Sequence, residues 1–535
     1  MKHLGRSAAV LAAASALVLT GCADDPSDPP AASAAIIVVN GTEPQNPLVP
    51  TNTNEVGGGK ILDSIFAGLV AYDADGKPVN DVAESIETDD SQHFEITITG
   101  DRTFTNGEKV TAKSFVDAWN YGAKKSNAQL SSYFFEDIEG FDYEEDSELT
   151  GLRVIDDTTF TVDLTSKVSD FPLRLGYSAY FPLPSVALDD IKAFGEHPIG
   201  NGPYKLASDT AWKHNESIEL VTNPDYDGPR TPKNGGLRIV FYASQESAYA
   251  DLRSGSLDVL DAIPASELGT YESDLGDRAV NQPAAVFQSF TIPERLAHFS
   301  GEEGRLRRQA ISLAINRPEI TEVIFNGTRT PAKDFTSPVI HGWSAKLKGA
   351  DVLDFDAVKA KQLWAEADAI APWSGTFEIA YNADGGHQGW VDAVANGLKN
   401  TLGIEASGAP SPTFAQVRTA VTQRTIETAF RTGWQADYPG LFNFLGPIYG
   451  TNAGSNDGDY SNPDFDALLK NGLSATDSDA ANQDFQDAQE ILFADLPVIP
   501  LWYSNVSGGY AESVQGVTFG WDSVPLYYEI TKSTD

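Results

Sequence analysis

From Arg305 to Pro318 the chain runs RLRRQAISLAINRP. Leu306, Ala310, Leu313 and Ala314 recur at helical spacing among basic and polar residues, which predicts an amphipathic helix over 305–315. Pro318 opens the next helix, where a missing N–H costs nothing. Working outward toward the C-terminus, AVKAKQLWAEA over 357–367 is a strong helix former almost throughout. A strand over 377–381 (FEIAY) and a helix through Trp390 and Leu398 follow. Toward the N-terminus come a helix over 246–253 ending near Gly255, a strand over 237–242, and a tight bend at Gly200-Asn201-Gly202-Pro203-Tyr204. Strands are expected over 159–164, 153–155 and 94–99, the last alternating as a half-buried strand does. Thr111 caps a helix (TAKSFVDAW) and Asn106-Gly107 is a turn. Lys60 to Leu69 (KILDSIFAGL) has helical apolar spacing, and Ile36 to Val39 opens the globule as a buried strand. Ala71 to Pro78 (AYDADGKP) reads as a hairpin turn. Its Asp73-x-Asp75-Gly76 lacks the other ligands and the closing Glu of a calcium loop. There is no fixed-period repeat, and the irregular alternation fits α/β or α+β lobes rather than a barrel or solenoid.

The chain has 535 residues, which suits two to four domains or lobes. With 27 Phe, 19 Tyr and 9 Trp it is too rich in aromatics to be disordered. Its 76 Asp plus Glu against 37 Lys plus Arg, a net charge of −39, argue against a nucleic-acid partner or a polybasic membrane patch, because both need cations facing phosphate.

At the N-terminus Lys2, His3 and Arg6 precede a mostly apolar run from Ala8 to Thr20, too short to span a bilayer. It ends in Leu19-Thr20-Gly21-Cys22, which resembles the lipobox of bacterial lipoproteins, and Cys22 is the only cysteine. The resemblance implies a signal peptide over 1–21 and lipidation of Cys22, with 22–35 a Pro- and Ser-rich tether. The mature protein is then exported, held at the outer face of the cell membrane by its lipid alone, and without a disulfide or a thiol-based metal site.

Eight segments in order resemble one family, the extracellular solute-binding proteins of ABC importers in the oligopeptide/dipeptide-binding class. They are Ile65–Leu69 with the Asp73–Gly76 turn; Phe104-Thr105-Asn106-Gly107 through Thr111-Ala112 to Trp119; the Ile199–Tyr204 bend; Asn223-Pro224-Asp225-Tyr226; and RRQAISLAINR over 307–317. Gly433-Trp434-Gln435-Ala436-Asp437-Tyr438-Pro439, then Tyr460–Asp466, then Leu496–Leu501 complete the series. The resemblance implies a two-lobed α/β fold of the periplasmic-binding-protein type, with two hinge crossings near 286–292 and 498–504. Residues 36–292 with 498–535 would form the first lobe and its extra subdomain, and 293–497 the second.

A receptor for varied peptides must hold what all peptides share, and a buried ammonium needs a carboxylate. Asp437 occupies the family position for that role, with Trp434 and Tyr438 walling the first pocket. The peptide backbone would join as an added strand, for which Asn54 and Glu55 are the candidate contacts. Tyr133 resembles a pocket tyrosine and Phe414 a pocket aromatic. Arg431, with Arg424 nearby, or His387 would meet the far carboxylate. Two departures stand out: Gln435 replaces a cysteine that some relatives carry in the ligand loop, and Gly57-Gly58-Gly59 reshapes the edge beside Glu55.

The implied function is a lipid-anchored, monomeric, non-enzymatic receptor that passes short peptides to ABC permease subunits and needs no cofactor or metal. Alternatives are a receptor of the same fold for a metal chelate, siderophore or oligosaccharide, a surface adhesin, and a hydrolase. The hydrolase finds no support in a Gly-x-Ser-x-Gly, His-Glu-x-x-His or Walker motif.

Overall fold

Arg307, Arg308 and Arg317 are no more than 2% exposed, so the stretch expected to be amphipathic buries its arginines. In the computed structural model, which describes residues 35–533 apart from Thr413 and Thr476, the helix spans Gly301–Leu313 and the next spans Arg317–Val323. Arg317 donates to the carbonyls of Pro500 at 2.7 Å, Ser312 at 3.0 Å and Leu353 at 2.6 Å. Arg308 donates to those of Asp495 and Phe299 at 2.7 and 2.6 Å. A guanidinium carries five donors in a fixed fork, so one buried arginine ties several loop carbonyls together. The signal peptide, Cys22 and most of the tether lie outside the described residues.

A mixed sheet runs through the molecule in the order Ala406–Ser411, Phe377–Asn382, Ala429–Gln435, Ala279–Thr291, Val498–Tyr510, Val259–Leu260, Ile36–Gly41, Gly236–Phe241, Ser217–Thr222, Tyr204–Leu206. Its two central strands are long and antiparallel to each other. Their register shifts between Pro283 and Phe287 and again between Gln288 and Ser289, as β-bulges do. Phe287 to Thr291 also pairs with Ala429–Gln435, whereas Val259–Leu260 lies against the far end of Val498–Tyr510. A separate four-stranded antiparallel sheet holds the alternating strand His93–Ile98.

Two large hydrophobic cores flank the central strands. One gathers Ile37, Phe66, Trp119, Tyr180 and Ile239, and the other Phe290, Ile311, Trp390, Phe444 and Trp502. The two exchange aromatic rings: Tyr438 packs in the first core and Trp521 in the second.

The helix expected over 60–69 is displaced and spans Val56–Ile65, here α1. Glu55 caps it, its carboxylate accepting from the Gly58 N–H at 2.9 Å. A Cβ on Gly57 would lie 2.3 Å from Thr42 Oγ1, and one on Gly58 2.5 Å from Glu55 Oε1, so close approach, not looseness, accounts for both. The bend at 200–204 locks onto the end of α1: Gly202 N–H donates to Ile65 O at 2.8 Å, and a Cβ on Gly200 would lie 1.8 Å from that same oxygen.

Candidate functional site

Between the two cores lies a cleft of about 260 Å³, open to solvent at its mouth. α1 lines one side with Val56, Gly59, Lys60 and Asp63, a spacing that places them on one helical face. Tyr72, Tyr177 and the segment Trp521–Tyr528 add aromatic wall. From the opposite side come Gln435, Ala436 and Asp437.

Asp437 follows the strand Ala429–Gln435, whose pairing with Val286–Thr291 carries the chain to the cleft edge. Asn443, buried on the helix Leu441–Tyr449, organises this loop. Its Oδ1 accepts from Trp434 Nε1 at 2.9 Å and from the Asp437 N–H at 3.0 Å, and its Nδ2 donates to Asp437 Oδ2 at 3.1 Å. Asp437 has no ion pair among the described residues. Burial pushes its carboxyl up to about 6, the Asn443 amide opposing. The phenols of Tyr133 and Tyr177 are pushed well up, first by burial and then by the Asp437 charge, so both lie within its field.

Two more carboxyls in the cleft are raised. Asp63, although solvent-exposed at the cleft surface, is pushed up by the walls around it, with Arg230 opposing and Asp522 adding to it. Asp522 reaches about 6 through burial, opposed by the N–H of Val524.

Of the residues expected at the site, Asn54, Glu55 and Asp437 share the cleft lining, although the Glu55 carboxylate is already engaged as the α1 cap. Trp434 and Tyr438 flank the loop without lining the cleft. Tyr438 is 3% exposed, donates its hydroxyl to Asp170 at 2.9 Å and lies under the Arg174 guanidinium at 5.6 Å. Arg431 has its guanidinium 5.9 Å over the half-exposed Phe414 ring, no ion pair among the described residues, and a pKa lowered by burial. Arg424 is committed to Asp459 at 2.8 Å and Asp457 at 3.4 Å. His387 Nδ1 accepts from Trp390 Nε1 at 3.1 Å, away from the cleft lining.

Sequence reasoning missed Asn443, Tyr177, Asp63 and the Trp521–Tyr528 wall. The period of α1 and the aromatic density of WDSVPLYY over 521–528 were the available signals. Among the described residues no group of three or more His, Cys, Asp or Glu could hold a metal, and no helix is long and apolar enough to cross a membrane.

Residues 77–456 match the model for the bacterial extracellular solute-binding proteins, family 5 middle region. The periplasmic oligopeptide-binding protein OppA of Salmonella typhimurium is 28% identical over 484 residues, covering 87% of this chain and 86% of that protein. The oligopeptide-binding protein OppA of Bacillus subtilis is 25% identical over 497 residues, covering 89% and 88%. Among solved structures, the Escherichia coli murein tripeptide binding protein MppA superposes with a TM-score of 0.77 at 19% identity over 94% of this chain and 98% of that one. Haemophilus influenzae OppA in complex with RPPGFSPFR gives 0.75 at 23% over 93% and 98%. The expected two-lobed α/β architecture is thus the one found, and the chain belongs to the bacterial extracellular solute-binding proteins of family 5.

Proposed function

We propose that this protein is the receptor of an ABC importer and captures short peptides between its lobes for delivery to membrane permease subunits. The observation that carries the reading is Asp437. It is a half-buried carboxylate held in place by Asn443, facing a cleft between two cores, with no cation of its own. A peptide α-ammonium supplies the missing charge. Its binding recovers the desolvation cost that raises the Asp437 carboxyl, and this makes the ligand part of the closed state's stability. Relatives over nearly the full length that are named for oligopeptides support the reading.

In this proposal Asn54 meets the peptide backbone and Tyr133 borders the first pocket. Arg431, beside Phe414, is the cation available to a far carboxylate. The lobes are 36–292 with 498–535, and 293–497, hinged where the two long central strands shift register. Ligand contacts to both lobes shift the open–closed equilibrium. The protein works as a monomer without enzymatic activity, tethered through lipidated Cys22 at the outer face of the membrane.

Mass spectrometry of small molecules released by denaturing protein purified from rich medium tests this. A ladder of short peptides is expected. A single non-peptide species, such as a chelate or a sugar, would replace the peptide reading with a different cargo.

A further inference from the structure

We propose that Arg174 is a positioning residue for ligand capture: outside the cleft, with Asp170 and Asp137, it clasps the turn Tyr438–Phe442 and so sets Asp437 at its distance from the opposite wall, which Tyr177 provides. The inference rests on the peptide-receptor reading and adds to it a part that acts without touching the ligand.

The clasp joins the two cores. Arg174 ends the short helix Phe171–Arg174, and Phe171 and Leu175 belong to the first core, whereas Leu441 and Phe444 belong to the second. The Arg174 side chain is buried. Its Nε donates to Asp170 Oδ1 at 3.0 Å and its Nη1 to Asp137 Oδ2 at 2.8 Å. Two carboxylates thus fix the guanidinium, and its Cζ stands 5.6 Å over the Tyr438 ring and 5.3 Å over that of Phe442. Asp170 turns its other oxygen to the Tyr438 hydroxyl, which donates at 2.9 Å. The turn runs close to this segment: a Cβ on Gly440 would lie 3.3 Å from Leu173 Cδ2. Beside the clasp, Ser169 donates its N–H to Leu473 O at 2.7 Å and its hydroxyl to Gly472 O at 3.1 Å.

Both sides of the clasp lead straight to the cleft. Tyr438 follows Asp437, and Phe442 precedes Asn443, which holds Asp437 at two points. On the other side the Arg174 carbonyl accepts from the Tyr177 N–H at 3.0 Å, and Gly176, Tyr177 and Ser178 line the cleft. Asn443 therefore fixes Asp437 within its own loop and helix, and Arg174 fixes that loop against the opposite wall. An ammonium pocket assembled from two cores needs this second constraint, because a desolvated charge pair weakens with each increment of separation. None of Arg174, Asp170, Asp137, Tyr438 and Phe442 lines the cleft, so their effect on a ligand passes through Asp437.

The test is calorimetric titration of the purified protein with alanine peptides of two to five residues, each with its amino terminus free and acetylated. Arg174→Met is expected to weaken the free peptides about tenfold and the acetylated ones less than about twofold, since an acetylated terminus offers Asp437 no charge. Arg174→Lys keeps a cation between Asp137 and Asp170 but not the flat face, and should bring the free peptides back to within about threefold of the parent. Phe442→Leu reaches the clasp from its other side with the carboxylates still paired. It should weaken the free peptides about threefold, so the clasp is read even where Arg174→Met lowers the yield of folded protein. Equal losses for free and acetylated peptides, or unchanged affinity in both Arg174→Met and Phe442→Leu, would overturn the positioning role and leave the peptide reading standing. Failure of the parent to bind any of the peptides would remove both.

Discussion

Asn443 grips Asp437 at two points, its carbonyl oxygen on the backbone N–H and its amide nitrogen on the carboxylate. The carboxylate is therefore aimed before any ligand arrives, and binding need not pay for ordering it.

Removing that charge should cost affinity. Asp437→Ala is expected to weaken binding of free-amino-terminus peptides by about 100-fold, the scale for deleting one partner of a desolvated, hydrogen-bonded charge pair. N-acetylated peptides should barely distinguish the variant from the parent. Equal affinity of Asp437→Ala and parent for free-amino-terminus peptides would dismiss the ammonium assignment.

The cleft acids predict an inverted pH response. Asp437, Asp522 and buried Asp334 are pushed up to about 6 in the folded chain, against 3.8 in an unfolded one. The folded state therefore binds more protons across that window, and its stability rises as pH falls from 8 toward 5. His93 and His214, raised by donating hydrogen bonds to Asp90 and Glu43, act in the same direction. Carboxyls held low, such as Glu302 and Asp156, weaken the fold only at more acid pH. Scanning calorimetry of the ligand-free protein should give a higher Tm at pH 5.5 than at pH 8. Peptide affinity should move oppositely and fall below about pH 6 as Asp437 takes up its proton. A lower Tm at 5.5 would contradict the assignment.

Arg317→Met should be severe. It takes this donor from the carbonyls of Leu353 and Pro500, while Ser312 keeps the Ile315 N–H, at about 1–3 kcal/mol for each group left unpaired. A loss of at least about 3 kcal/mol in urea unfolding is expected. A loss under about 1 kcal/mol would show that water replaces the guanidinium.

Tyr438→Phe removes the hydroxyl that reaches Asp170 and leaves the ring in its core. One hydrogen bond is worth about 1 kcal/mol, or about a fivefold shift toward the open form. Small-angle scattering should show a larger mean radius without ligand, and peptide affinity should drop by a similar factor. Unchanged scattering would exclude the hydroxyl from closure.

Local chemistry was legible wherever one residue decides one conformation. Thr111 heads its helix with Ser114 in a capping box, Gly255 ends its helix at φ 77°, and the Gly200–Tyr204 bend has no room for side chains. The order of family segments made the two-lobed architecture readable. What escaped depends on partners far apart in the chain. Nothing in RRQAISLAINR says that its arginines face carbonyls near 353 and 500, and helical periodicity alone does not foresee their burial. The start of α1 was misjudged because Gly57–Gly59 weigh against a helix, while the Glu55 cap and contacts with Thr42 decide for it. Asn443 and Asp522 announce themselves only once the cleft exists.

The exchanged rings also bear on how this chain can be taken apart. Expressed alone, the half bearing Tyr438 would carry a ring without its seat and lack the Trp521 that fills its own core, and the other half would mirror the defect. Grafting, display or recombination between homologues therefore has to treat the two-lobed body as one module, with seams at exposed turns such as Asn106–Gly107 and not at the lobe boundary.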